Sequence, residues 1–154
     1  MKIKKSVLVI VVLGIILMGP GIGQPDPQIG LVEGKLLPCP DSPNCVSSQS
    51  PIPSRVVLPL PFGGLSWPEA RERLIKTLMS IEDCRKVTVK EDYIHAEFAS
   101  AVFHFTADVE FLADHASQVI QVRSASRTGL WDFGTNRRRA EAIREAYMKP
   151  RARR

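Results

Sequence analysis

The chain is 154 residues long, about one domain, and its 44% hydrophobic and 24% charged content is that of an ordinary globular protein. A formal net charge of +5 divides into +3 over residues 1–23, −5 over residues 24–115 and +7 over residues 116–154. The acidic middle, with no helix-turn-helix, zinc-finger or RNP-like pattern, argues against nucleic acid as the partner of this basic chain.

Lys2, Lys4 and Lys5 precede an apolar run over residues 7–18. A basic flank before a short apolar core is the pattern of a secretory signal. No small-x-small cleavage site is evident, because Pro20 sits among the candidate positions. A membrane anchor takes about 17–25 apolar residues, which residues 3–22 reach only if Lys4, Lys5, Ser6 and Pro20 are included. The favoured expectation is an uncleaved anchor or signal peptide over 1–23, with the lysines cytoplasmic and the domain extracytoplasmic, periplasmic or lumenal. The alternative is secretion after cleavage. A Gly/Pro linker over 24–35, a single domain over 36–150 and a basic tail over 151–154 follow.

Residues 36–61 hold seven prolines, a density that forbids long helices and central strands and leaves room for one short edge strand over 55–60. Ser66-Trp67-Pro68-Glu69 is a capping-box helix start with proline in the first turn. Trp67, Ala70, Leu74, Leu78 and Ile81 continue it as one apolar stripe ending near Ile81. The period then becomes two. Val87 and Val89, then Ile94, Ala96 and Phe98, then Phe103, Phe105, Val109 and Phe111, then Ile120 and Val122 alternate with polar residues. Connections at 91–92, 99–100 and 113–117 make a four-strand antiparallel meander. Ala140, Ile143 and Tyr147 mark a second amphipathic helix over 136–148. The fold expected is α+β, a two-layer sandwich with both helices on one sheet face. Its register places Val89 near Ile94, Phe98 near Phe103 and Val109 near Val122, with Asp108 beside Arg123.

Three constellations carry candidate chemistry. The opposite sheet face collects His95, Glu97, His104, Asp108 and Glu110, the parts of an acid–base site or a solvated face of cross-strand pairs worth about 0.2–1 kcal/mol each. Arg123, Ser124, Ser126 and Arg127 end the last strand just before the helix start at Asn136 and Arg137, an arrangement suited to an anionic ligand or an acidic partner. Its bland counterpart pairs the arginines with Asp108, Glu110 or Asp132. Cys39 and Cys45, with five residues between them, suit neither the usual zinc spacing nor C-x-x-C redox chemistry well. An exported domain favours a disulfide that pins a loop against the sheet, worth about 2 kcal/mol in the chain-entropy model, with Asp41 and Asn44 in the turn. Cys84 is left over as a buried apolar residue. No cofactor or metal pattern is present.

PCPDSPNCVSS at 38–48, Tyr93-x-His95-Ala96-x-Phe98-x-Ser100, Asp108-Val-Glu-Phe111 and VRSASRxGxxDFGxNRxRxExIR at 122–144 resemble family 1499 of the domains of unknown function. Members often carry two acids before the Val-Glu-Phe step, where this chain has Ala107. The resemblance implies an exported or membrane-tethered domain and assigns no activity. It also implies that the cysteine loop, the polar sheet face and the arginine loop belong to one surface. The reading is a binding or scaffold module for an acidic ligand or partner. The alternatives are a small enzyme using His95, His104, Asp108 or Glu110, and thiol redox chemistry at Cys39 and Cys45.

Overall fold

In the computed structural model, residues 28–99 and 105–149 are described. The expected anchor, Phe103, His104 and the basic tail lie outside them. Among the described residues no helix is long and apolar enough to cross a membrane.

Glu33 (φ 49°) and Gly34 (φ 72°) turn the chain tightly between β1 (Leu31–Val32) and β2 (Lys35–Leu36). Two consecutive left-handed residues supply the twist of a two-residue hairpin. This hairpin reaches back into the stretch read as linker. The proline-rich region then yields β3 (Cys45–Ser47), a 3-10 turn (Pro53–Arg55) and β4 (Leu60–Pro61). In α1 (Trp67–Met79) the Glu69 carboxylate accepts hydrogen bonds from the Ser66 backbone N–H (2.8 Å) and hydroxyl (2.6 Å). The helix stops two residues short of Ile81.

Four longer strands follow, β5 (Cys84–Lys90), β6 (Tyr93–Ala99), β7 (Thr106–Asp114) and β8 (Val119–Ser126), and then α2 (Thr135–Met148). They form the expected antiparallel meander, but it is part of a larger sheet. That sheet has six strands, ordered β3-β8-β7-β6-β5, with β4 also on β8. β3 pairs residues 123–125 and β4 pairs residues 119–120, each antiparallel to β8. Prolines bar a central strand. They do not bar two short strands at the sheet edge paired to β8, so the single edge strand expected at 55–60 is replaced by these two.

The register differs from expectation by even steps. Val89 does face Ile94, but Phe98 faces Ala107 and Val109 faces Ser124. Ala99 pairs Thr106 and Asp114 pairs Val119, so the β6–β7 connection is longer than expected and the β7–β8 connection is centred further along the chain. Even steps keep every side chain on its expected face while changing its neighbour. Glu110 therefore lies opposite Arg123, and Asp108 lies opposite Ala125.

One sheet face, with Ile94, Ala96, Phe98, Val109, Phe111, Ile120 and Val122, shares a core with Ala70, Leu74 and Leu78 of α1 and Ala140, Ile143 and Tyr147 of α2. Val46, Val57, Leu60 and Phe62 from the proline-rich region join it. Both helices thus bury their stripes on one side, as their 3.6-residue spacing requires. The opposite, polar face is covered in part by the β1–β2 hairpin, which contacts β7 and β8.

Candidate functional site

Alternation puts Tyr93, His95, Glu97, Asp108, Glu110 and Arg123 on the polar face, and packing against the hairpin buries most of them. Arg123, Glu110, Asp108 and His95 are all buried. Two clusters of ion pairs and hydrogen bonds result. In the first, Arg123 Nη1 donates to Glu110 Oε2 (2.6 Å) and to the Gln28 carbonyl (3.1 Å). Glu110 Oε1 accepts from Tyr93 Oη (2.7 Å) and from the Gly30 backbone N–H (2.7 Å). Burial, and the hydrogen bond to the Glu110 carboxylate, push the Tyr93 hydroxyl far above its ordinary pKa. In the second, Arg127 grips Asp108 with two bonds, Nε to Oδ2 (2.9 Å) and Nη2 to Oδ1 (2.8 Å). His95 Nε2 lies 2.7 Å from Asp108 Oδ1, and Glu97 stands 3.2 Å from Arg127 Nη2.

Burial would raise the Asp108 pKa. The hydrogen bonds and charges of Arg127 and His95 outweigh it and hold the carboxyl below its ordinary value of 3.8. A carboxyl depressed in the folded state contributes stability that is present above its unfolded pKa and lost as pH falls through the folded value. Thermal stability is therefore expected to fall in acid below about pH 4. Asp108→Asn, which removes this titration, is expected to lower Tm at pH 7 and to flatten the acid limb between pH 5 and 2. An unchanged acid limb in circular dichroism melts of the variant would refute the assignment.

The disulfide Cys39–Cys45 is formed, with Cα atoms 5.6 Å apart, and the loop it closes is tied down at several points. Arg55 donates to the carbonyls of Pro40 and Asp41. Ser42 Oγ donates to Asn44 Oδ1 (2.8 Å), and Asn44 Nδ2 donates to the Gly129 carbonyl (2.6 Å). Cys84 is a free thiol, half-buried rather than buried. Burial raises its pKa, which makes it a weak nucleophile.

Of the anion-site candidates, Arg123, Ser126 and Arg127 line one cavity of about 270 Å³, together with Ser42, Asn44 and Asp108. The cysteine loop, the polar face and the arginine loop therefore meet on one surface. Ser124 and Asn136 stand apart from this cavity lining. Ser124 Oγ donates to Asn136 Oδ1 (2.7 Å), and Asn136 Nδ2 donates to the Asn44 carbonyl (2.8 Å) and Ser126 Oγ (2.9 Å). Both are buried ties between β8, the disulfide loop and α2. Arg137 donates to the carbonyls of Ser54 and Val56. The start of α2 already holds an anion of its own, because the Asp132 carboxylate accepts from the backbone N–H groups of Gly134 and Asn136 (both 2.9 Å). Gly134 has φ 76°, and a Cβ there would lie 3.2 Å from Arg138 Nη1, so this turn favours glycine.

Among the described acid–base candidates, Asp108 alone lines the cavity. Glu110 is sealed beneath Tyr93 and Gly30, His95 bonds Asp108, and Glu97 shares Arg127. Among the described residues no group of three or more His, Cys, Asp or Glu side chains is placed to hold a metal ion. Sequence reasoning passed over Asn44, Ser42 and Tyr93 as site residues. Asn44 and Ser42 lie in the PCPDSPNC segment, but only the fold shows that they face the arginines.

The model of a family described as a protein of unknown function (DUF1499) matches residues 35–147. No curated protein and no solved structure matches the chain.

Proposed function

We propose that this chain, which belongs to the DUF1499 family, is an exported, membrane-tethered binding module whose polar cavity takes a small acidic group from a ligand or partner. One observation carries the reading: Arg123, Ser126 and Arg127 line one cavity of about 270 Å³ beside the disulfide loop. Ser126 adds a hydroxyl, and Arg127 adds Nη1, which neither Asp108 nor Glu97 engages. The formed disulfide supports an oxidising compartment.

The reading as a small enzyme through His95, His104, Asp108 or Glu110 has less support. Those of the four that are described are spent on ion pairs and hydrogen bonds within the protein. Thiol redox chemistry also has less, since Cys45 is buried.

The test is native mass spectrometry of the full chain in detergent, followed by calorimetric titration with small carboxylates and phosphates. Wild type is expected to bind one acidic ligand. Arg127→Lys, which keeps the charge and gives up the two-pronged grip, is expected to lose at least about tenfold in affinity, or about 1.4 kcal/mol, while remaining folded. A wild-type protein that carries and binds no anion would sink the reading.

A further inference from the structure

Large apolar side chains usually leave water. Here Leu130 is 74% exposed, Trp131 68%, Phe133 85% and Phe105 60%. Phe105, Trp131 and Phe133 line a groove of about 540 Å³, and Leu130 lies in the same loop. Phe133 presents its ring from a left-handed backbone (φ 51°), which a bulky residue rarely adopts. The one acid in the loop, Asp132, is committed to the start of α2. An exposed arginine, Arg138, donates to the Phe133 carbonyl (2.8 Å). The surface is thus apolar and aromatic with a cation at its base. Aromatic residues of this kind concentrate at the membrane–water interface, and an apolar patch of this kind marks a docking surface.

We infer that the 130–133 loop and Phe105 dock into the lipid bilayer interface. The chain path selects this occupant, and the inference rests on the proposed anchor at 1–23. Five peptide steps separate residue 23 from Gln28, a span of roughly 17 Å at most. Gln28 is fixed to the domain by Arg123 and lines the polar cavity beside Gly129. Gly129 leads directly into the loop and also lines the aromatic groove. An anchor that ends at residue 23 therefore holds this edge of the domain, with Leu130, Trp131 and Phe133 on it, against the membrane. Leu31 and Val32, just beyond Gln28, are exposed as well.

The experiment reconstitutes the full chain into phosphatidylcholine–phosphatidylglycerol vesicles whose acyl chains carry bromine, a short-range quencher of tryptophan. The Trp131 signal is the difference between wild type and Trp131→Ala, which leaves Trp67 packed on Phe62. Carbonate washing tests the anchor separately. Retention in the vesicles with loss of most Trp131 emission is the result expected. Retention with unquenched Trp131 overturns the docking while the anchor stands, as would be found if a protein partner or a second copy covered the loop. Quenching in chains that carbonate strips off overturns the anchor and leaves the docking. Neither retention nor quenching overturns both.

Discussion

Arg123→Met is expected to destabilise the domain by about 3–5 kcal/mol, because it leaves Glu110 as an uncompensated charge in the interior. Domains of this size are stable by about 5–15 kcal/mol, so the variant loses a large share of its stability at neutral pH. Arg123 and Glu110 meet at 2.6 Å with side chains 2% and 0% exposed. Water cannot take over the role of the missing guanidinium. Arg123→Met combined with Glu110→Leu is expected to recover much of the loss, since an apolar pair of similar volume removes the stranded charge. Recovery stays incomplete, because Tyr93 Oη and the Gly30 N–H lose their common acceptor, at about 1–3 kcal/mol for each buried group. Urea unfolding of wild type, both single variants and the double variant closes a thermodynamic cycle. A double variant no more stable than Arg123→Met would refute the stranded-charge account. So would a single variant within about 0.5 kcal/mol of wild type, the range of ordinary surface changes.

Asn136→Ala is expected to cost about 2–4 kcal/mol and to loosen the disulfide loop while Cys39–Cys45 remains bonded. Its amide holds the Asn44 carbonyl, Ser126 Oγ and Ser124 Oγ, and it accepts from Arg139 Nη1 (2.8 Å). Removing it leaves several buried polar groups short of partners at about 1–3 kcal/mol each, with partial relaxation. The disulfide restricts the loop internally, since its two ends are six residues apart. It does not attach the loop to α2, and Asn136 does. Hydrogen exchange is expected to show faster amide exchange over residues 44–48, concentrated where β3 meets β8. If the variant melts lower but this segment keeps its wild-type protection, the strand pairing of β3 alone holds the loop. Asn136→Asp makes the same point with a side chain of equal size, because a carboxylate accepts but cannot donate to the Asn44 carbonyl.

The two helices and four long strands were legible because each has a period of its own. Ser66 and Glu69 mark a helix start by local hydrogen bonding, and the stripe of Ala70, Leu74 and Leu78 needs no knowledge of its partner. The alternation around His95 and Asp108 likewise assigns a face, and an even shift in register leaves that assignment intact. Phe105 was misread for a related reason. Alternation extends the strand back to Phe103 and Phe105, whereas β7 begins at Thr106 and Phe105 is 60% exposed just before it. The proline-rich stretch leaves room for an edge strand at 55–60 but does not place the two it forms, because proline count speaks against interior strands and does not locate edges. Val46 and Leu60 entered the core through β3 and β4, strands of three and two residues, too short to show any period.

By itself, the sequence determined the α+β class, the helix boundaries within two residues, the polar and apolar sheet faces, and a disulfide at Cys39–Cys45 as the favoured pairing. The first three follow from interactions between residues close along the chain, whose geometry is set by helix and strand repeats, and the disulfide from cysteine spacing and the expected compartment. Only the tertiary structure decided that Arg123 meets Glu110 rather than Asp108, that Asp132 fills the start of α2, and that Asn44 closes a cavity with Arg127. Each of those contacts joins residues whose distance depends on loop lengths and on packing of the hairpin over the sheet. A shift of two residues preserves every local preference yet changes which charges touch, so the charge pairs and the cavity are properties of the folded chain alone.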